Sequence, residues 1–317
     1  MRRLAIAMAA FCLLPAGTLR AGSGARGTSA AAFLKIEPGA RPAAMGAAFS
    51  AVAGDAHAAY YNPAGLAAIK QVSASAMHEA RFSDISYDFA TLSVPLLSWV
   101  DTPLQRNAYG VMAVSFYSLA VGGLERRGAT ETDEPVDTFK AGDFAYALSY
   151  AYELPDRGLA LGGTAKFVDS TIDGTKARAL AVDGGALYRL GSGALALGWR
   201  HLGTAQKFRQ AADPLPLTYF MAGSWRFSER ILGSAEFSLP RDDAPALAAG
   251  GEYRVAWSRS LSAAGRVGFN TGKLEPGGLS GLSAGMGLGY NGLDLDLAWL
   301  PAGELGDTFR YSLTIRF

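Results

Sequence analysis

The chain has 317 residues, of which half are hydrophobic, only 18% are charged and 39 are glycine. A formal net charge of +1 argues against the basic surface that a nucleic-acid partner requires. The high apolar content excludes an intrinsically disordered protein.

The chain starts with the pattern of a secretory signal. Two arginines precede an apolar run at positions 4–14, and small residues follow it. We predict cleavage after Ala21, so that residues 1–21 form the signal peptide. The one cysteine, Cys12, lies inside the apolar run, and we expect a mature chain without disulfides or thiol chemistry.

Beyond the signal, no stretch of about 18 uninterrupted apolar residues occurs, so a membrane-spanning helix is not expected. A β-barrel explains an exported, apolar chain of this kind, because its backbone polar groups pair between strands inside the membrane. The expected location is the outer membrane of a Gram-negative-type bacterium.

Residues 22–70 show helical rather than alternating patterns. A short helix is predicted over Ala43–Val52, directly after a proline, which suits a first helical position. A second helical run is predicted over Asp55–Tyr61, ending before Asn62 because a residue that precedes proline disfavours helix. The segment is too small to fold alone, so we predict a plug, or hatch, inside a barrel formed by residues 71–317.

The barrel region consists of short alternating segments separated by turn residues. In "FAYALSYAYEL", which starts at Phe144, large residues alternate with small ones, and a strand places the two sets on opposite faces. A soluble sandwich has the reverse distribution, with its bulky residues inside. The sequence contains about fourteen such segments, an even number typical of bacterial barrels, at approximately 71–79, 85–96, 107–119, 142–154, 158–169, 177–190, 193–203, 216–228, 231–240, 245–257, 260–270, 280–290, 293–301 and 309–317.

The connections alternate in length as outer-membrane barrels require, with short periplasmic turns and longer external links. Short links follow the fourth, sixth, eighth, tenth and twelfth strands, and Asn291-Gly292 is a strong two-residue hairpin signal. Longer links are expected after the third, fifth, seventh, eleventh and thirteenth strands, the longest from Ala120 to Ala141. The exception is the segment from Leu97 to Arg106, which should be short and is not.

The last nine residues, "FRYSLTIRF", alternate strictly and end on an aromatic residue. They are predicted to form the closing strand, and Tyr311 and Phe317 resemble the carboxyl-terminal assembly signal of outer-membrane proteins. The barrel-assembly machinery and outer-membrane lipids are therefore expected partners. The predicted fold is an all-β, antiparallel transmembrane outer-membrane barrel of about 14 strands with a small helical N-terminal plug.

The inward face of the predicted barrel carries charged residues. Pairing the last two strands about their loop brings Asp294 opposite Arg316, a candidate cross-strand ion pair. These charges either hold the hatch and one another or form a lining that filters a solute. The lumen-facing candidates are Lys166, Arg200, Arg226, Glu252, Arg254, Arg266, Asp294, Asp296, Arg310 and Arg316.

Catalysis and metal binding have little basis in the sequence. His57, His78 and His201 have no Ser, Asp or Asn arrangement beside them that stands out, and a lipase on the outer wall would need such groups to converge. Without a two-histidine spacing or cysteines, no metal and no cofactor are expected. The acidic segment Glu125–Asp143 is expected to be a solvated loop.

The segment "FLKIEPGARPAAMGAAFSAVAGDAHAAYYNPAGLA" resembles the opening of the PorV/PorQ family, a branch of the FadL-like outer-membrane barrels, and "PAGELGDTFRYSLTIRF" resembles that family's closing strand. The resemblance implies a 14-stranded barrel with an amino-terminal hatch carrying the Asn-Pro-Ala element. In this chain that element and its neighbours, the gating candidates, are Asn62, Pro63, Ala64, Gly65 and Leu66.

The resemblance implies two functions, both non-enzymatic. FadL-like barrels move small hydrophobic or amphipathic molecules across the outer membrane, and the hatch would be the gate. PorV-like members are outer-membrane components of type IX protein secretion, which predicts protein cargo as a partner and a closed lumen. A purely structural membrane protein is a third alternative. A lateral opening, if present, is expected at the irregular second and third strands and the long link from Leu97 to Arg106 that joins them.

Overall fold

The structure is a computed structural model that describes residues 27–81, 85–96, 109–128, 133–258, 260–274 and 279–317. The predicted signal peptide and the segment from Leu97 to Arg106 lie outside the described residues. Among the described residues, no helix is long and apolar enough to cross a membrane.

Fourteen antiparallel strands form a closed barrel, because the first strand pairs with the last in a continuous register from Ser73 opposite Arg316 to Ala80 opposite Phe309. This confirms the predicted fold. The barrel strands are β1 Ser73–Ala80, β2 Ile85–Pro95, β3 Val111–Arg126, β4 Asp137–Leu154, β5 Leu159–Ile172, β6 Thr175–Leu190, β7 Gly193–Gly203, β10 Thr218–Arg226, β11 Ile231–Pro240, β12 Ala246–Ala256, β13 Leu261–Asn270, β14 Leu282–Tyr290, β15 Leu293–Pro301 and β16 Asp307–Arg316. Two short strands, β8 Gln206–Phe208 and β9 Ala211–Asp213, form a separate hairpin between β7 and β10.

The alternation of large and small residues is confirmed as a division between the two faces of the wall. On β4, Tyr146, Leu148 and Tyr150 are about half exposed on the outside, whereas Ala147 and Ser149 between them are buried inside. Because an outer wall of bulky apolar residues suits lipid, this distribution is typical of a transmembrane barrel.

Two predicted links are wrong. The segment Ala120–Ala141 is not one long loop, because β3 continues to Arg126 and β4 begins at Asp137, so that the wall rises higher here. The link after β5 is only Asp173-Gly174, a two-residue turn in which both residues have positive φ angles of 49° and 73°. A turn with two positive φ angles matches the right-handed twist of the strands in a hairpin. The dipeptide Asp-Gly favours such a turn, so the sequence could have predicted this short link.

The lateral-opening hypothesis is also wrong for the described wall. β1 pairs with β2 from Ser73 to Ala80, and β2 pairs with β3 from Ile85 to Pro95, without a register shift. A hydrogen-bonded wall of this kind leaves no gap between these strands.

The hatch contains shorter helices than predicted. The first helix covers Ala40–Ala44 rather than Ala43–Val52. The second covers Ala58–Tyr61 and ends before Asn62, as the proline rule predicted. Two 3-10 helices, Ala32–Lys35 and Pro63–Ala68, complete the segment.

The hatch runs through the barrel from one end to the other. At the end with the longer links, the Ala30 N–H donates to the Pro214 carbonyl over 2.9 Å, and Lys35 pairs with Asp242 at 2.8 Å. At the opposite end, which has the short turns and is periplasmic by the rule for such barrels, the chain leaves the 3-10 helix Pro63–Ala68 and enters β1. The lumen is therefore filled along its length.

The Asn291-Gly292 turn gives a test of the hairpin signal. Gly292 has a φ of 85°, and a Cβ there would lie 2.8 Å from the Arg316 carbonyl oxygen. We expect Gly292→Ala to lower the free energy of unfolding by about 1 kcal/mol or more, measured by urea titration in lipid vesicles. Gly265→Ala is the control, because its Cβ would meet nothing within 4 Å; an equal loss in both variants would contradict the expectation.

Candidate functional site

Asn62 fixes the periplasmic end of the hatch to the wall. Its side-chain oxygen accepts a hydrogen bond from the Ala64 N–H at 3.1 Å and so caps the 3-10 helix that starts at Pro63. Its amide group donates to the carbonyls of Ser50, at 3.0 Å, and Ala186 on β6, at 3.3 Å. One side chain therefore links two parts of the hatch to the barrel.

Glycines in the wall make room for this element. A Cβ at Gly162 would overlap the backbone of Pro63 and Ala64, and a Cβ at Gly185 would overlap the Asn62 side chain. Leu66 is fully buried against apolar residues at the periplasmic ends of β3 to β7. Gly65, the remaining gating candidate, is also buried, and its carbonyl accepts a hydrogen bond from the Gly54 N–H at 3.0 Å.

The first helix sits against the opposite wall in the same way. A Cβ at Gly250 would overlap Met45, and one at Gly268 would overlap Gly46. The Ala40 N–H donates to the Ser312 hydroxyl over 2.7 Å. Both halves of the hatch thus approach the wall closely at glycines.

Arg41 is the main ionic anchor of the hatch. Its guanidinium contacts both carboxylate oxygens of Glu252 on β12, at 2.8 and 2.9 Å, and Asp55 of the hatch at 2.7 Å. Glu252 also pairs with Arg266 at 2.7 Å, and Arg266 pairs with Asp296 at 2.7 Å. A charge network therefore runs from the hatch across three strands, and each buried charge in it has a partner.

Asp55 also holds a histidine in a fixed orientation. Its carboxylate contacts Nδ1 of His57 at 2.8 Å, and Nε2 of His57 lies 3.3 Å from the Ser75 hydroxyl on β1. The order Asp, His, Ser has the connectivity of a catalytic triad. Ser75 is buried, however, and its hydroxyl also contacts Thr314 at 2.8 Å. The three residues form a chain of polar contacts that connects the hatch to the wall.

Burial alone would raise the pKa of Asp55, but the charges of His57 and Arg41 and the hydrogen bonds from both outweigh it and hold this pKa well below its usual value. The carboxylate is therefore ionised in the folded protein at neutral pH.

A second anchor joins the hatch to the seam where the barrel closes. Glu79 on β1 pairs with Arg310 on β16, and Arg310 also donates to the backbone carbonyl of Glu37 in the hatch. Arg81 contacts Glu79 at 2.8 Å from the external side. The strand pair that closes the barrel therefore also binds the hatch.

A β-bulge on β7 builds the third anchor. Arg200 and His201 both oppose Asp183 on β6, and His201 has a φ of 63°, so both side chains point inward and are buried. Lys166 lies 2.6 Å from the Asp183 carboxylate and 3.2 Å from Nδ1 of His201. Arg200 pairs with Glu236 at 2.9 Å.

Aromatic rings of the hatch cover this third anchor. Lys166 lies 5.5 Å from the centre of the Tyr60 ring, and Arg200 lies 5.7 Å from the same ring. Glu236 accepts from the Ser50 N–H at 3.1 Å. Cation–π and hydrogen-bond contacts thus hold the hatch to β5, β7 and β11.

The remaining candidates lie at the barrel ends. Asp294 forms an ion pair with Arg316, but the register places Asp294 opposite Thr314, so the contact is diagonal rather than direct. Arg226 is exposed at the end of β10, and the Arg254 side chain is about one third exposed. Arg254 lies 3.9 Å from Glu252, on the same strand.

The two aromatic candidates of the closing strand lie on its outer face. Tyr311 and Phe317 are 54% and 71% exposed there, where they can meet lipid or other proteins.

Several partners of the network were missed by the sequence analysis. Glu79, Asp183 and Glu236 lie on the inward faces of their strands, so the alternation could have identified them. His201 could not be placed in this way, because the bulge reverses the alternation. The contacts of Arg41 and Asp55 depend on the path of the hatch.

The close approach of the Asn-Pro-Ala element to Gly162 gives a test. We expect Gly162→Val to displace residues 62–68 and to increase their hydrogen–deuterium exchange, because the added side chain overlaps the hatch. Gly163→Val is the matched control, since this neighbour faces outward and its Cβ meets only the Asp183 carbonyl, at 3.7 Å. Equal exchange in the two variants would show that the element is not seated there.

The Asp55 anchor gives a pH prediction. Because the folded-state pKa is depressed, Asp55 contributes stability that is present above its ordinary pKa of 3.8 and lost as the pH falls through the lower folded value. We expect the thermal stability of the wild type to fall more steeply below about pH 4 than that of Asp55→Asn, which has no proton to gain at this site. Parallel curves between pH 7 and 2.5 would contradict this.

Comparison with known proteins shows the family and the fold. The Pseudomonas putida toluene transporter TodX has a similar structure, with a TM-score of 0.55 at 12% identity over 87% of this chain and 96% of that chain. A Pseudomonas aeruginosa FadL homologue gives a TM-score of 0.51 at 13% identity, with the same shares covered. The Ralstonia pickettii toluene transporter TbuX gives a TM-score of 0.50 at 12% identity, over 88% of this chain and 98% of that chain.

The chain therefore shares its fold with these three proteins, while the resemblance to the PorV/PorQ family remains a prediction. No curated protein matches the chain. Residues 14–180, just over half of the chain, match the model described as Uncharacterised protein family (UPF0164), and the chain belongs to this family.

Proposed function

We propose that this chain forms an outer-membrane passage for small hydrophobic or amphipathic molecules, which opens when the hatch around Asn62–Leu66 is displaced. The observation that carries the proposal is a lumen filled by a separate segment rather than by the barrel's own side chains. Fourteen strands enclose more space than inward alanines, serines and glycines can fill, so displacing the hatch leaves a channel.

Two kinds of contact hold the hatch. Its apolar side chains pack against those of the wall, as Phe49 and Tyr60 do with Phe89 and Tyr117, and its polar groups form ion pairs and hydrogen bonds such as Arg41 with Glu252. Buried ion pairs add little net stability after desolvation, but they fix position well. A hatch held in this way returns to one place without being locked there.

The similar structures support the class of substrate. TodX and TbuX are described as toluene transporters, and their fold covers most of this chain. Toluene and long-chain carboxylic acids are therefore the first molecules to test. The secretion component suggested by the PorV/PorQ resemblance stays a prediction, and protein cargo is its distinguishing partner.

A reversible lock on the hatch tests the proposal. The double variant Ala40→Cys, Ser312→Cys is designed to form a disulfide between hatch and wall. The two positions are close, because the Ser312 hydroxyl lies 2.7 Å from the Ala40 nitrogen. We expect oxidised cells to take up radiolabelled toluene and hexadecanoate at the rate of cells without the protein, and reduction to restore uptake. Each single-cysteine variant is a control for oxidation itself.

Uptake that is unchanged by a disulfide verified on gels would contradict a moving hatch. If the purified protein then retains a stoichiometric protein companion, the result would favour the secretion component instead.

A further inference from the structure

The outer wall carries an ionisable pair that faces the membrane. His78 on β1 and Asp88 on β2 lie directly opposite each other, with Nδ1 2.7 Å from a carboxylate oxygen. Their side chains are 56% and 46% exposed, in contrast to the buried pairs of the lumen. Ionisable residues that face lipid are costly, and they commonly mark a functional site.

The pair lies toward the external ends of its strands. His78 is two residues before the end of β1 at Ala80, and Asp88 is three residues after β2 begins at Ile85. The exposed ring of Tyr311 on β16 lies opposite His78, so the pair is bordered by an aromatic residue of the outer wall.

A groove in the outer wall runs beside this pair. Ala74, Ala76 and Ala90 are small residues on the outer face of β1 and β2, whereas Phe116 on β3 and Leu313 on β16 are bulky. Two adjoining apolar depressions of about 700 and 850 Å³ share this part of the wall, and the first extends toward β14 and the second toward β6. The first includes His78 and Asp88 in its lining, so the polar pair and the apolar depression form one site.

The hydrogen-bonding capacity of the pair determines which head group fits. One oxygen of the Asp88 carboxylate lies 2.7 Å from Nδ1 of His78, and the second oxygen can accept a further hydrogen bond. A molecule that binds here must therefore donate hydrogen bonds from its head and place an apolar chain along the alanines.

The residues that adjoin the pair on neighbouring strands are not arranged for nucleophilic catalysis. Ser118 on β3 lies opposite Asp88, on the side away from His78, and Tyr311 on β16 lies opposite His78. A serine nucleophile would have to adjoin the imidazole. The geometry points to binding.

We infer that the groove over β1 and β2 binds the chain of a hydroxyl-headed amphipathic lipid, whose head donates a hydrogen bond to the His78–Asp88 pair. This site goes beyond the proposed function, because it lies on the lipid side of a continuous wall and does not require the hatch to move. The lining beside the pair is largely apolar, which suits a ligand with one polar head and an apolar chain.

Photolabelling with a diazirine-bearing hexadecanol tests the inference on the full mature barrel in lipid nanodiscs. We expect saturable labelling of peptides from β1 and β2. Unlabelled hexadecanol should displace the probe, and hexadecyl methyl ether should compete about tenfold less well, because it has the same chain but no donor.

Variants distinguish recognition of the lipid head group from binding of its apolar chain. Ala76→Phe should abolish labelling by filling the groove, and Asp88→Leu should remove the preference for the alcohol over the ether. Ala249→Phe, a like change on the outer face of β12, should leave labelling unchanged and controls for barrel assembly.

Three results would overturn the inference: uniform labelling around the barrel, equal competition by alcohol and ether, or a crosslink showing that a second copy covers the groove. Because labelling does not depend on uptake, each outcome is independent of the hatch-lock experiment.

Discussion

The need to fill the lumen of a fourteen-stranded barrel shapes the rest of this structure. Closing the barrel pairs the backbone of every strand with its neighbours, but a ring of this size encloses more space than small inward residues occupy. The hatch supplies the missing volume. Glycines such as Gly162, Gly185 and Gly268 are required where it approaches, because a Cβ at each would overlap the hatch.

A filled lumen also explains where the charges are. Lys166, Arg200 and Arg310 are buried, which is tolerable only because each has a carboxylate partner. The members of these ion pairs lie on β1, β5, β6, β7, β11 and β16, and the hatch contacts the pairs. The same pairs that neutralise the wall thus determine the position of the hatch, and Arg41, which pairs with Asp55 within the hatch, gains its second carboxylate partner, Glu252, only from the wall.

The continuous wall and the filled lumen together concentrate any control of passage on the hatch. β1, β2 and β3 pair without interruption, so a molecule inside the described barrel has no gap between these strands through which to leave. The outer face of the same strands is a separate surface with its own polar pair. The short first strand therefore contacts the hatch directly through Ser75 and indirectly through Glu79 and its partner Arg310, and His78 lies on its outer face.

The sequence by itself determined the strands and their faces, because alternation is a local property that each strand carries independently. The fourteen segments, the Asn291-Gly292 turn and the inward placement of Lys166 and Glu252 all followed from it. The tertiary structure alone decided the partners. Arg41 and Glu252 are 211 residues apart, and only the path of the hatch brings them together. The bulge at Arg200-His201 reverses the alternation in a way that local pattern cannot reveal, since it depends on the pairing of β6 with β7.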